Sequence, residues 1–159
     1  CAAAGADSIL IPDVPTREGG PFVAAAQQAG ISQIFIAPAR ADDDTLRAVS
    51  ENSSGYIYAL SRHGVTGADK EAESGGLDSV VDAIQRFDGP PVLLGFGISK
   101  PEHVRAALDA GAAGAITGSA ITRIISARVD SSESGNEFDL AELADAVSRY
   151  VAEMKAATR

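Results

Sequence analysis

Short runs of apolar residues, almost uninterrupted by polar ones, recur along the chain. Their starts lie about 23 to 35 residues apart, which is the length of one strand, loop and helix. Continuous apolar runs are typical of parallel strands that are buried on both faces, whereas strands with one wet face alternate. The pattern predicts five strands, at residues 8–11, 33–36, 56–60, 91–94 and 114–117.

Segments with helical spacing lie between these runs. Residues 22–29 are followed by Gly30, a common residue where a helix ends. The aspartates at 42–44 are expected to cap the next helix, and Ser99 with Glu102 matches the pattern of a capping box. Strands that alternate with helices predict an α/β fold of five βα units with parallel strands.

Two of the predicted strands run directly into glycine and then into the start of a helix. These segments are Gly-Phe-Gly-Ile-Ser at 95–99 and Gly-Ala-Ile-Thr-Gly-Ser-Ala at 114–120. The last two loops of a (β/α)8 TIM barrel build a phosphate site in this way, because glycine lets backbone N–H groups approach an anion at a helix N-terminus. Two plain strand-to-helix turns are the alternative. We therefore predict a partial (β/α)8 barrel with a phosphate site.

The length of the chain bears on how much of a barrel it holds. A complete barrel needs about 250 residues, whereas this chain has 159, begins at Cys1, and opens on an alanine-rich stretch typical of a helix end. We interpret residues 1–159 as a single domain, the C-terminal part of a barrel whose N-terminal strands are absent. Strands at two open edges predict self-association or an altered fold.

The amino-acid composition narrows the range of possible binding partners. The 13 basic and 22 acidic residues give a net charge of −9 with no basic stripe, which argues against nucleic acid and anionic membranes. No apolar run is long enough to span a membrane, and a single cysteine permits no internal disulfide, so a cytoplasmic protein is favoured. No cluster of cysteine and histidine has metal-ligand spacing, which predicts no metal site.

Two loops at predicted strand ends carry candidate functional residues. The loop that follows the third strand begins Ser-Arg-His-Gly-Val-Thr-Gly at 61–67, and its length suits a lid over an active site. In it Arg62 can anchor a closed lid, Thr66 can bond a carboxylate, and Gly67 can offer its N–H to phosphate. An ordinary surface loop can hold the same residues. Asp13 ends the first strand at the barrel mouth, unless it only stabilises a turn.

Taken together, these segments resemble the tryptophan synthase α subunit in order and spacing. The matching segments are 13–15, 34–38 before 42–44, 58–67, 95–99 and 118–120. The resemblance covers essentially the whole chain and corresponds to the fourth to eighth strands of that barrel. It implies a lyase of tryptophan biosynthesis that cleaves indole-3-glycerol phosphate to indole and glyceraldehyde 3-phosphate. It also implies no cofactor in this chain, with indole passing to a β subunit that holds pyridoxal phosphate.

The resemblance also implies roles for particular residues. Those expected to bind the substrate phosphate are Gly67, Gly97, Gly118 and Ser119. Those expected to line the indole pocket are Leu10, Tyr58, Phe96 and Ile116. Those expected in the closing lid are Arg62 and Thr66, and those near the β-subunit face are Asp13 and Pro15.

The catalytic pair of that family, an aspartate and a glutamate, has no counterpart in the chain. Without a general acid and base we expect no turnover by these residues alone. Two other functions remain open. Another phosphate-binding barrel, such as an isomerase of aromatic amino-acid or histidine biosynthesis, would share the glycine loops but not the lid sequence. A non-catalytic module that binds phosphate or a partner would need no acids.

Overall fold

Strands and helices alternate through the computed structural model, which describes residues 1–60, 76–133 and 139–159. The strands are β1 Ser8–Leu10, β2 Ser32–Ile34, β3 Ile36–Ala37, β4 Ile57–Leu60, β5 Val92–Gly95 and β6 Gly114–Ile116. The α-helices are α1 Gly20–Ala29, α2 Asp43–Asn52, α3 Leu77–Arg86, α4 Pro101–Asp109, α5 Ser119–Glu133 and α6 Leu140–Ala156. Short 3-10 turns span Ala2–Ala4 and Thr16–Glu18.

Every strand pair in the described chain is parallel. β1 pairs with β2, and the order β3-β4-β5-β6 forms a second ladder that follows the sequence. Within it Leu60 lies opposite Gly95, and Gly95 lies opposite Ile116. Parallel strands in sequence order with helices between them confirm the predicted α/β fold, a part of a (β/α)8 barrel.

The second predicted strand, 33–36, is divided at Phe35, so that the described residues form six strands where five were expected. The ladder to β1 ends at Ile34, and the ladder to β4 begins at Ile36. The chain remains extended between them, since the Phe35 carbonyl accepts a hydrogen bond from the Tyr58 N–H at 3.1 Å. One strand thus passes its hydrogen bonds from one neighbour to the other. A run of apolar residues carries no information about this change of partner.

The two faces of β4 and β5 have different surroundings. Ile57, Ala59, Val92 and Leu94 belong to the hydrophobic core, together with residues of α2, α3 and α4. Successive residues of a strand point to opposite faces, so the alternate residues of β4 and β5 lie on the face of the sheet opposite these core residues. Tyr58 is one of them, and it lines the cavity described below.

Of two predicted helix caps, the one at α2 is confirmed and the one at α4 is wrong. The Asp42 carboxylate accepts from the Thr45 N–H at 2.8 Å, and its hydrogen bonds to Thr45 hold the pKa of that carboxyl below its usual value. The capping box of Ser99 and Glu102 is wrong, because Lys100 stands at the cap of α4. The N–H of Ser99 instead donates to Nδ1 of His103 at 3.2 Å.

The edges of the described sheet bear on assembly. β1 pairs only with β2, and β6 pairs only with β5, within the residues that the structure describes. Self-association, and the assignment of 1–159 to one domain, stay predictions. In the described part of the chain, each helix is too short or too polar to span a bilayer.

Candidate functional site

A cavity of about 380 Å³ lies where the carboxyl ends of β4, β5 and β6 meet. Parallel strands bring their carboxyl ends to one edge, which is where barrel enzymes hold their sites. The residues that line it are Tyr58, Phe96, Gly97, Ile98, Ile116, Gly118, Ser119 and Thr122. Three of the four residues expected at phosphate and three of the four expected at the indole ring are therefore brought together in one place.

The loop after β5 forms one wall of the cavity. Phe96 has φ 103° and Gly97 has φ 76°, so two consecutive residues have positive φ. For Phe96 this sparsely populated conformation costs on the order of 1–3 kcal/mol, and such strain is concentrated at binding sites. The turn carries the chain from β5 across the cavity and into α4.

The start of α5 forms the facing wall. The Gly118 carbonyl accepts from the N–H groups of Ile121 and Thr122 at 2.9 and 3.1 Å, which places Gly118 at the helix cap. The first N–H groups of a helix have no partner within it and carry partial positive charge. No heavy atom lies within 4 Å of the place where a Cβ of Gly118 would stand, so an anion can approach this backbone closely.

The remaining wall is largely apolar and is formed by Tyr58, Phe96 and Ile116. Burial raises the pKa of the Tyr58 phenol, and neighbouring Tyr56 raises it further. The phenol therefore stays protonated at neutral pH and can donate a hydrogen bond. Among the lining residues that the structure describes, the polar side chains are the hydroxyl groups of Tyr58, Ser119 and Thr122. None of these lining residues carries a carboxylate or an imidazole.

The raised pKa of Tyr58 predicts a loss of stability in alkali. The folded protein holds the phenolic proton more tightly than the unfolded chain, whose Tyr58 has the ordinary pKa of 10.0. This contribution is fully present below about pH 10 and is lost as the pH rises through the higher pKa of the folded state. In a complete α subunit we expect Tyr58→Phe to remove that part of the alkaline decline, measured by denaturation at a series of pH values.

The tyrosinate absorbance of the same two proteins provides the control. Subtracting the titration of Tyr58→Phe from that of the parent removes the signal of the tyrosines that do not interact with Tyr58. A midpoint below 10 in the difference would contradict the assignment of Tyr58 to a desolvated site.

The structure does not bring every expected residue to this cavity. Leu10 is half-buried in β1, whose only described neighbour is β2, so β2, its continuation β3, and β4 lie between it and β5, and its pocket role stays a prediction. Asp13 and Pro15 are exposed on the loop after β1, away from the lining. Arg62, Thr66 and Gly67, predicted for the lid and the phosphate site, lie outside the described residues.

Sequence reasoning missed the side chains that hold the two glycine loops. Oγ1 of Thr117 donates to the Ile98 carbonyl at 2.9 Å and lies 2.8 Å from the Tyr150 hydroxyl. Nδ1 of His103 accepts from the Ser99 N–H. No local pattern links Tyr150 to Thr117, which lies 33 positions earlier. In the described ranges, no group of three His, Cys, Asp or Glu side chains could hold a metal ion.

Comparisons with known proteins agree with this geometry. The family model described as "Tryptophan synthase alpha chain" matches residues 1–158. The tryptophan synthase alpha chain of Corynebacterium aurimucosum is 62% identical over 156 residues, which are 98% of this chain and 55% of that protein. The alpha chain of Corynebacterium diphtheriae is 58% identical over 99% of this chain and 58% of its own length. The chain spans about half the length of these relatives.

A solved structure extends the likeness to three dimensions. The tryptophan synthase a2b2 complex from Pyrococcus furiosus superposes with a TM-score of 0.77 and 30% identity, over 97% of this chain and 57% of the other. The superposition and the sequence match therefore both indicate the same family. The chain belongs to the tryptophan synthase alpha chain family.

Proposed function

We propose that this chain supplies the phosphate and indole subsites of an α subunit that cleaves indole-3-glycerol phosphate to indole and glyceraldehyde 3-phosphate. The observation that carries the proposal is one cavity in which two glycine loops face an apolar wall. Its volume of about 380 Å³ lies within the usual range for small-molecule sites. Such a site suits a ligand with an anionic end and a flat apolar end.

The phosphate would lie between Gly97 and the start of α5. Backbone N–H groups of Gly97, Gly118 and Ser119, with the Ser119 hydroxyl, would donate to its oxygens. The partial positive charge at the helix start stabilises an anion without a lysine or arginine. We extend the proposal to Gly67 as a further donor and to Arg62 and Thr66 as parts of the lid.

The indole ring would pack against Tyr58, Phe96 and Ile116, with Leu10 proposed at the far end of the pocket. Aromatic and branched side chains offer a large apolar area to a flat ring. Placing both ends of the substrate fixes the carbon–carbon bond that must break between them. Binding at two ends in this way lowers the entropic part of the barrier.

Proton transfer would require groups beyond this lining. The reaction adds a proton to the indole ring carbon that is bonded to the glycerol chain. It also removes a proton from the glycerol hydroxyl that becomes the aldehyde when that carbon–carbon bond breaks. The described lining has no carboxylate for either step. We therefore propose that residues 1–159 bind and position substrate while the acids belong to the rest of a complete α subunit. A purely non-catalytic phosphate module is the alternative.

The proposed partner is a tryptophan synthase β subunit that holds pyridoxal phosphate, while this chain needs no cofactor. The exposed positions of Asp13 and Pro15 are compatible with a protein contact. The Pyrococcus furiosus protein is described in an a2b2 complex, which supports the same assembly here. The single cysteine and the acidic composition support a cytoplasmic location.

A matched pair of ligands tests the phosphate subsite. A complete α subunit carrying these residues is titrated by calorimetry with glyceraldehyde 3-phosphate and with glyceraldehyde, which lacks only the phosphate. We expect the phosphorylated ligand to bind at least about tenfold more tightly, since hydrogen bonds to a charged group contribute about 1.5–3 kcal/mol each. Equal affinities would contradict the proposal. Residues 1–159 alone should release no indole above the buffer rate.

A further inference from the structure

One hydroxyl group joins the two glycine loops. Thr117 directly precedes Gly118, and Ile98 directly follows Gly97. The Thr117 Oγ1 donates to the Ile98 carbonyl oxygen at 2.9 Å, so this bond joins the residues next to the two candidate phosphate-binding glycines. The same Oγ1 lies 2.8 Å from the hydroxyl of Tyr150, which belongs to α6.

Counting hydrogens fixes the direction of the second bond. A threonine hydroxyl has one hydrogen to donate and can accept up to two bonds. Thr117 gives its hydrogen to the carbonyl of Ile98, which can only accept. The hydrogen between Thr117 and Tyr150 must therefore come from Tyr150. The result is a directed chain from the tyrosine hydroxyl, through the threonine hydroxyl, to the backbone of the β5–α4 loop.

These hydrogen bonds lie just beyond the point where the β5–β6 ladder ends. The last backbone pair between β5 and β6 is Gly95 with Ile116, so the residues beyond it are no longer held together by the ladder. Thr117 is the next residue after that pair. Its bond to Ile98 supplies a cross-link at the level of the cavity, where sheet hydrogen bonds have stopped.

We infer that Thr117 and Tyr150 are positioning residues that set the spacing between the two phosphate-binding loops. The inference rests on the proposed function of those loops. Backbone donors on two loops bind one anion well only if both are held within about 0.5 Å of the required geometry. Thr117 fixes the loops to each other, and Tyr150 holds the Thr117 hydroxyl in the orientation that reaches Ile98. The C-terminal helix thus acts on the site without lining the cavity.

Removal of single hydroxyl groups tests this role in a complete α subunit. Tyr150→Phe keeps the ring, and Thr117→Val keeps the branched shape. We expect each to weaken binding of glyceraldehyde 3-phosphate by about three- to tenfold, the range of one net hydrogen bond. Thr117→Ser, which keeps the hydroxyl, should restore binding. Because both residues act through one chain of bonds, Tyr150→Phe should add little to Thr117→Val.

A second ligand separates positioning from general stability. Indole carries no phosphate and contacts only the apolar wall, so its affinity should be unchanged in the variants. Tyr56→Phe, which removes a phenol outside the described lining, should leave both affinities at the parent values. Thermal melts establish that each variant is folded.

The outcomes separate this inference from the proposed function. If the parent fails to bind glyceraldehyde 3-phosphate, the phosphate site itself is refuted, and the positioning role fails with it. If the parent binds but both folded variants bind equally well, only the positioning role is overturned. An equal loss of affinity for indole and for the phosphate ligand would likewise overturn it, by showing a general disturbance.

Discussion

Gly118→Val should eliminate measurable binding of glyceraldehyde 3-phosphate to a complete α subunit while leaving its fold in place. The place of a Cβ at Gly118 is open space, and its φ is one that other residues adopt, so a side chain can be attached there without a clash at Cβ. The branches of the valine fill the space that the phosphate needs. We expect an affinity loss of more than about a hundredfold, beyond the loss of one bond to a charged group.

Two variants show whether the loss comes from the site. Ser119→Ala removes one hydroxyl and leaves the backbone donors, so we expect a smaller loss of about ten- to a hundredfold. Ala24→Val places the same side chain on an exposed position of α1, outside the cavity lining, and should leave affinity unchanged. Calorimetry on the four proteins decides: normal binding by Gly118→Val would make this loop a plain structural turn.

Gly95→Ala should be the most damaging small substitution in the sheet. A Cβ at Gly95 would overlap the ring of Tyr58, which belongs to the neighbouring strand β4. Gly95 is buried in β5 between two strands, so neither backbone can yield easily. Overpacking of this kind costs about 1–3 kcal/mol of unfolding free energy. Denaturant unfolding of a complete α subunit measures the loss.

The cause of this loss is tested by a double variant. If overlap with the ring is responsible, Gly95→Ala should cost much less in a Tyr58→Leu background, where the ring is absent. Gly114→Ala is the matched control, since it adds the same methyl group in the neighbouring strand β6, where the nearest atom is the end of the Leu93 side chain at 3.1 Å. It should cost much less than Gly95→Ala, because a side-chain end can move aside. An equal cost of Gly95→Ala in both backgrounds would rule out the Tyr58 ring as its cause.

Much of the fold follows from local patterns. The apolar runs locate the strands, and Gly30 ends α1 with φ 71°. The meeting of Gly97 and Gly118 was also predictable, because parallel strands place their carboxyl ends at one edge. The division of one strand at Phe35 was not, since the ladder partner of each residue depends on neighbours distant in sequence.

The contacts that hold the site could not be predicted from the sequence either, because they too depend on neighbours outside the local pattern. Ser99 and Glu102 match a capping box, yet the Ser99 N–H donates to His103. Several side chains can compete for the backbone groups at one helix start. The bond between Thr117 and Tyr150 joins residues that no periodicity relates. Leu10 was assigned from family resemblance, and its distance across the sheet from β5 depends on strand pairing.

The order of the strands has a consequence for how the site is made during synthesis. Every ladder among the described residues joins strands that follow each other along the chain, so the cavity walls can form as soon as α5 has left the ribosome. Tyr150 emerges later, with α6. A nascent chain would therefore already enclose the cavity, and its two loops would reach their final separation only when α6 docks. Ligand competence would then be acquired after the cavity walls, once α6 has been made.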